Sequence, residues 1–222
     1  MAKPIIVINF KTYASATGKK AEKLALICEK IAKEKKVDIR IAVQVADLYR
    51  VSSKVKIPVY AEHVDDIEPG RNTGFILPED VKDEGAIGSL LNHSEHKISD
   101  KKILETLKVA SNTKLKFIIC AATVLRGEKI SKLKVVKENK KVEFIAIEPS
   151  KLIGGKISVS TANPKLIKDA VAKIKKPVLV GAGVHTKQDL EIALKLGAKG
   201  VLLASGVTKA KNPEKILREM LS

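Results

Sequence analysis

Eight short apolar runs punctuate the chain, and most of them are continuous rather than alternating: "PIIVINF", "DIRIAVQ", "PVYAEHV", "GAIGSLLNH", "LKFIICAA", "VEFIAIE", "KPVLVGAG" and "GVLLAS". A strand with one wet face alternates apolar and polar residues, whereas a continuous apolar run suits a strand buried on both faces, as in a parallel sheet. Parallel neighbours need a crossover between them, and the intervening segments have helical period. "GKKAEKLALICEKIAKEKK" puts Leu24, Ile27 and Ile31 on one face, and "KKILETLKVASN" does the same with Ile103, Leu104 and Leu107. "TKQDLEIALKLG" opens at a Thr186 cap and stops at Gly197, while "NPEKILREML" has Asn212 at the cap and Pro213 at the first helical position. Shorter helices are expected near residues 46–54 and 78–84, and short or irregular ones after strands four to six.

Eight strand-then-helix units in 222 residues, with no low-complexity linker, predict an α/β chain: one (β/α)8 barrel domain over residues 1–222. A doubly wound open sheet has the same periodicity, but no glycine-rich dinucleotide fingerprint follows the first strand, which favours the barrel. No apolar run approaches the roughly 20 residues of a membrane span. "MAKPIIVINF" runs straight into a strand with no cleavage pattern, so a cytoplasmic protein without membrane association is expected. Cys28 and Cys120, in a predicted helix and a predicted strand, are expected to be free core thiols.

A net charge of +17 raises nucleic acid as a partner. The distribution argues against it. Lysine dominates and is scattered along helices, and only 3% of residues are aromatic, whereas single-strand binding needs rings on which bases stack. A solvated lysine surface that draws in small anions is the better reading.

In a barrel, chemistry collects where strands end, at the C-terminal face. The first strand ends in Asn9 and Lys11, the fourth in His93, and the sixth in Glu148. Each has an ordinary explanation alone: a turn cap, a first solvated residue, a rim ion pair. Together they bring a base, a neutral donor and a cation to one mouth. "NHSEH" spaces His93 and His96 three apart, but a metal needs a third and fourth ligand, and His63 and His185 belong to no compact ligand motif. No metal is expected. His63 and His96 read as rim histidines, and His185 as lying near a helix start. The C-terminal third adds two small-residue turns, Gly181-Ala182-Gly183 and Ala204-Ser205, at the ends of strands seven and eight. Barrels commonly bind phosphate there, because small residues let main-chain N–H groups approach an anion.

"NFKTY", "NHSEH", "IEP…IGG" and the two small-residue turns, in that order, resemble the triosephosphate isomerase family over the whole chain. "LLNHSEH" and "GVLLASGVTKAKNP" resemble its short archaeal branch. The resemblance implies an aldose–ketose isomerase that needs no cofactor and interconverts D-glyceraldehyde 3-phosphate and dihydroxyacetone phosphate, a step of glycolysis and gluconeogenesis. It implies Glu148 as the base and His93 as the electrophile at the carbonyl oxygen, a division of labour known in the family. Lys11 would supply positive charge beside the enediolate and the phosphate, and Asn9 would orient the same groups. The loop from Pro149 to Gly155 would be a lid, with Ile153 covering the substrate and the Gly154 N–H gripping phosphate beside Gly183, Ala204 and Ser205. Glu95 would support the lysine, and Cys120 would pack behind the base. Thr73 in "RNTGF" resembles the tip of a loop that reaches into a neighbouring subunit, implying at least a homodimer and compatible with a tetramer.

The chain departs from the family at both phosphate turns. Gly183 stands where many members have serine, and Ala204-Ser205 where many have two glycines. The rival reading is another phosphate-binding barrel, such as those of tryptophan, histidine or thiamine biosynthesis. Those are not expected to combine "NFKTY", "NHSEH" and "IEP". A basic, non-catalytic binding barrel is opposed by the intact Asn9, Lys11, His93 and Glu148.

Overall fold

The structure, a computed structural model, describes residues 3–149, 163–181 and 183–222. Eight parallel strands close into a barrel in sequence order, with β1 paired to both β2 and β8. They are β1 (Ile5–Asn9), β2 (Asp38–Val43), β3 (Val59–Ala61), β4 (Gly88–Leu91), β5 (Lys116–Ala121), β6 (Val142–Ile147), β7 (Val178–Gly181) and β8 (Gly200–Leu203). The helices between them are α1 (Lys19–Lys35), α2 (Leu48–Ser52), α3 (Pro78–Asp83), α4 (Asp100–Val109), α5 (Val124–Lys132) and α6 (Lys134–Glu138). After β6 come α7 (Pro164–Lys173), α8 (Lys187–Lys195), α9 (Ser205–Thr208) and α10 (Pro213–Met220). The barrel is closed, and the open-sheet alternative falls.

The boundaries follow from local chemistry. Thr186 caps α8 in a full capping box with Asp189, and Asn212 caps α10 ahead of Pro213. Gly197, at φ +96°, takes the left-handed turn that ends the α8 segment. Leu24 and Ile31 of α1 are buried, as are Ile103 and Leu107 of α4, while Ile27 and Leu104 lie at the margin. Both thiols are free and buried. Among the described residues no helix is long and apolar enough to cross a membrane.

Two apolar clusters build the core. The larger lies between strands and helices, and the smaller fills the barrel with Val7, Tyr60, Leu90, Ile118, Leu179 and Leu202 among others. The floor of the barrel breaks the apolar pattern. Arg40 enters from β2, its Nη1 donating to the Tyr60 hydroxyl and to Glu143 Oε2, both at 2.9 Å, and its Nη2 donating to Asp38 Oδ2 at 2.8 Å. The Tyr60 hydroxyl donates to Glu143 Oε2 at 2.6 Å, and Lys116 Nζ reaches Glu143 Oε1 at 3.1 Å. The guanidinium also lies 5.4 Å from the centre of the Phe144 ring. Burial pushes the Tyr60 hydroxyl above its ordinary range, so it stays a neutral donor. Gly88 makes room for this layer, since a Cβ there would lie 2.4 Å from the Tyr60 ring.

Breaking one side of such a cluster strands a buried charge. Glu143→Ala is therefore expected to destabilise the fold by about 3 kcal/mol, the lower end for removing one partner of a buried pair. For a chain of this size that corresponds to a fall in melting temperature of roughly 10 °C. A thermal melt that shifts by under about 2 °C would show that water or Asp38 takes over the role of Glu143.

Candidate active site

The polar residues that end strands meet at the C-terminal mouth. Asn9 closes β1, and its Oδ1 accepts the main-chain N–H of Lys11 at 3.1 Å. Lys11 adopts φ +49°, a left-handed conformation that costs a non-glycine residue energy and must be held by its surroundings. From there Lys11 Nζ reaches Glu95 Oε1 at 2.7 Å, although the rest of its side chain is buried. Glu95, expected to support the lysine, is placed with its carboxylate against the Lys11 ammonium.

His93 lies two residues past β4, and Asn92 sets its direction. Asn92 also takes a left-handed φ of +57°; its Nδ2 donates to the Cys120 carbonyl at 2.8 Å, and its Oδ1 accepts the Ile98 N–H at 3.0 Å. The His93 Nδ1 accepts the Glu95 main-chain N–H at 3.2 Å. A ring nitrogen that accepts a backbone N–H cannot carry a proton itself, so the neutral ring holds its proton on Nε2. That nitrogen is buried, has no hydrogen-bond partner, and faces Glu148 Oε2 at 3.4 Å.

Glu148 follows β6 directly, anchored by its N–H to the Ala121 carbonyl at 3.0 Å. The residue is 4% exposed, and Oε2 also lacks a hydrogen-bond partner. Two unsatisfied polar atoms pointed at each other across a buried gap are expensive in a folded protein, and an arrangement of this kind belongs to sites that receive a ligand. Cys120 lies against the same carboxylate. Burial first, and then the Glu148 charge, push its thiol far up, so it is a neutral packing neighbour that can donate weakly.

Lys11 divides the mouth. On one side a cavity of about 370 Å³ is lined by Asn9, Lys11, Gln44, Glu62, His93 and Glu95. On the other, a pocket of about 30 Å³ is lined by Lys11, Glu148, Gly183, Ala204, Ser205 and His185. Gly183 adopts φ +70° there. The strand-seven and strand-eight turns therefore lie beside both Lys11 and Glu148. Ala182, Ile153 and Gly154 lie outside the described residues, as does the loop after Pro149.

Two features escaped the sequence reading. Gly181 was expected to matter as a small residue that lets backbone approach an anion; a Cβ there would lie 2.5 Å from Glu148 Cγ and 2.9 Å from Oε1, so the glycine makes room for the Glu148 side chain. Glu62 stands immediately after β3 and faces the larger cavity. It has the signature used for Asn9, His93 and Glu148, a polar residue ending an apolar run, and "PVYAEHV" carried it openly. The rim histidines pair with each other, the His63 and His96 rings stacking at 4.1 Å between centroids. His185 lies two residues ahead of α8, its N–H donating to Asp189 Oδ2 at 3.0 Å.

The sequence model of the triosephosphate isomerase family matches residues 4–220. A triosephosphate isomerase of Methanobacterium bryantii is 41% identical, covering 99% of this chain and 96% of that protein. Another from Methanocaldococcus jannaschii is 40% identical with 98% of each chain covered, and one from Saccharolobus solfataricus is 43% identical over 100% of this chain and 96% of its own.

Proposed function

The chain belongs to the triosephosphate isomerase family, and from that premise we propose that it interconverts D-glyceraldehyde 3-phosphate and dihydroxyacetone phosphate, with Glu148 as base and His93 as electrophile. The observation that carries the assignment of roles is the buried, unsatisfied pair of His93 Nε2 and Glu148 Oε2 at 3.4 Å. Glu148 takes the proton from the carbon beside the carbonyl. The electron pair of that C–H bond moves into an enediolate, and the Nε2–H of His93 donates to the oxygen on which charge develops. The ring then passes protons between the two oxygens, and Glu148 returns its proton to the neighbouring carbon. No atom is gained or lost, and no change of oxidation state of the whole substrate occurs.

Lys11 supplies positive charge between the reacting carbons and the phosphate, and Asn9 holds the Lys11 backbone that directs it. Phosphate is received by main-chain N–H groups around Gly183, Ala204 and Ser205, to which the family resemblance adds Ile153 and Gly154. A cytoplasmic protein is the reading that suits such a reaction. The test is turnover in both directions with the two triose phosphates. Absence of turnover in an intact assembly would sink the isomerase reading.

Assembly is part of the proposal. Val45, which lines the larger cavity, Tyr49 and Phe75 are exposed apolar side chains, and Thr73, two residues before Phe75, is exposed as well. A second copy would cover that rim and bring its own Thr73 loop to Asn9 and Lys11, as the family resemblance implies. Light scattering is expected to give at least twice the chain mass of 24.1 kDa. Tyr49→Asp combined with Phe75→Asp is expected to give the single-chain mass and a large loss of turnover. A monomeric wild type with full turnover would refute this.

A further inference from the structure

His185 stands at the phosphate wall, yet the isomerase chemistry leaves its side chain without a role. Its main chain is fixed by Asp189, whose Oδ2 accepts the N–H groups of His185 and Thr186, both at 3.0 Å. That clamp holds His185 two residues past Gly183, and the residue lines the small pocket built by the strand-seven and strand-eight turns. The ring reaches from one turn to the other. A Cβ added to Gly206 would lie 2.6 Å from His185 Nδ1 and 3.3 Å from its Cε1, so the imidazole rests against the residue that follows Ala204 and Ser205. Gly206 lies within α9 and outside the left-handed region, so its backbone does not demand glycine; the ring beside it does.

The charges at this pocket leave room for such a group. A triose phosphate brings close to two negative charges, and Glu148 adds a carboxylate to the same lining. Among the described residues that line the pocket, Lys11 and His185 are the only basic side chains. The Lys11 ammonium is already engaged with Glu95 at 2.7 Å. Gly183 and Ala204 can offer an anion only their main chain.

We propose that His185 is a specificity-determining residue of the substrate site: its imidazole donates a hydrogen bond to the phosphate group of the triose phosphate, between the strand-seven and strand-eight turns. The proposal rests on the isomerase reading and deepens it, by adding a side chain to the main-chain N–H groups that receive phosphate. An imidazole has an N–H to give whether it is neutral or cationic, and a bond to an ionised phosphate oxygen is of the stronger, charge-assisted kind. The contact is made to the part of the substrate that does not react. It therefore favours the phosphorylated triose and takes no part in the proton transfers.

The test compares substrates with and without phosphate. In His185→Ala, kcat/KM for D-glyceraldehyde 3-phosphate is expected to fall about tenfold, the size of one hydrogen bond to a charged group. Deuterium exchange into unphosphorylated D-glyceraldehyde in heavy water, followed by NMR, is expected to change by less than about twofold. Sulfate, a tetrahedral dianion with no carbon to react, is expected to bind about tenfold more weakly by calorimetry. His185→Gln, which keeps an N–H donor without the ring, is expected to hold sulfate within about threefold of wild type. Equal losses with the phosphorylated and unphosphorylated substrates would assign His185 to the shape of the site and overturn the proposal. Unchanged sulfate affinity in His185→Ala would overturn it too. Should the alanine variant fail to fold, His185→Leu, which fills the space without a donor, takes its place in the same comparison. Absence of turnover in the wild type would count against the isomerase reading instead, and the sulfate titrations, which need no turnover, would still decide the role of His185.

Discussion

Glu148→Gln is expected to lower kcat by about a thousandfold, within the range ascribed to a positioned general base, while sulfate binding is kept and, with a negative charge beside its pocket gone, strengthened. The substitution keeps the length and shape of the side chain while removing its negative charge and its capacity to take a proton. Oε2, the atom that faces His93 Nε2 at 3.4 Å, has no hydrogen-bond partner, so exchanging the carboxylate for an amide breaks no bond there. The main chain stays anchored through the Ala121 carbonyl, and the Gly183, Ala204 and Ser205 wall is built by other strands. Binding and chemistry should therefore separate. Loss of both together would mean that Glu148 organises the pocket rather than acting as base. A variant retaining more than about a tenth of wild-type kcat would remove Glu148 from the proton transfer.

The sequence revealed the parts of this molecule whose cause is local. Continuous apolar runs predicted buried parallel strands, and Thr186, Asn212 and Pro213 predicted helix starts, because periodicity and capping depend on neighbours a few residues away. Asn9, Lys11, His93 and Glu148 could be picked out because each interrupts an apolar run at its end, and the topology then gathers all such ends at one face. Features that depend on residues far apart in sequence were hidden. Arg40 and Glu143 look like flaws in two apolar strands until the closed barrel sets them 2.9 Å apart. The tautomer of His93 depends on an N–H two residues away whose direction is set by the turn at Asn92. Glu62 had the right pattern, but "EH" after a three-residue strand gave no hint that one oxygen would be left without a partner.

Gly181→Ala is expected to cost roughly a hundredfold in kcat/KM, the penalty typical of moving a reacting group by about 1 Å. Gly181 ends β7 in a conformation that alanine can adopt, so the substitution should not break the strand. The added methyl would instead meet Glu148, at 2.5 Å from Cγ and 2.9 Å from Oε1. Cγ is close to the main chain and cannot swing away freely, so the whole carboxyl must shift. His93 Nε2 at 3.4 Å and Cys120 both lie against it. The base is displaced while remaining chemically intact, which predicts a fall in kcat with sulfate affinity largely kept. A double-variant cycle isolates the cause. If the methyl acts only through the position of the base, Gly181→Ala should cost little once Glu148 is already glutamine, because that variant has no base left to misplace. A full hundredfold loss on top of Glu148→Gln would instead place the effect of Gly181 on the neighbouring phosphate turn, where small residues admit an anion.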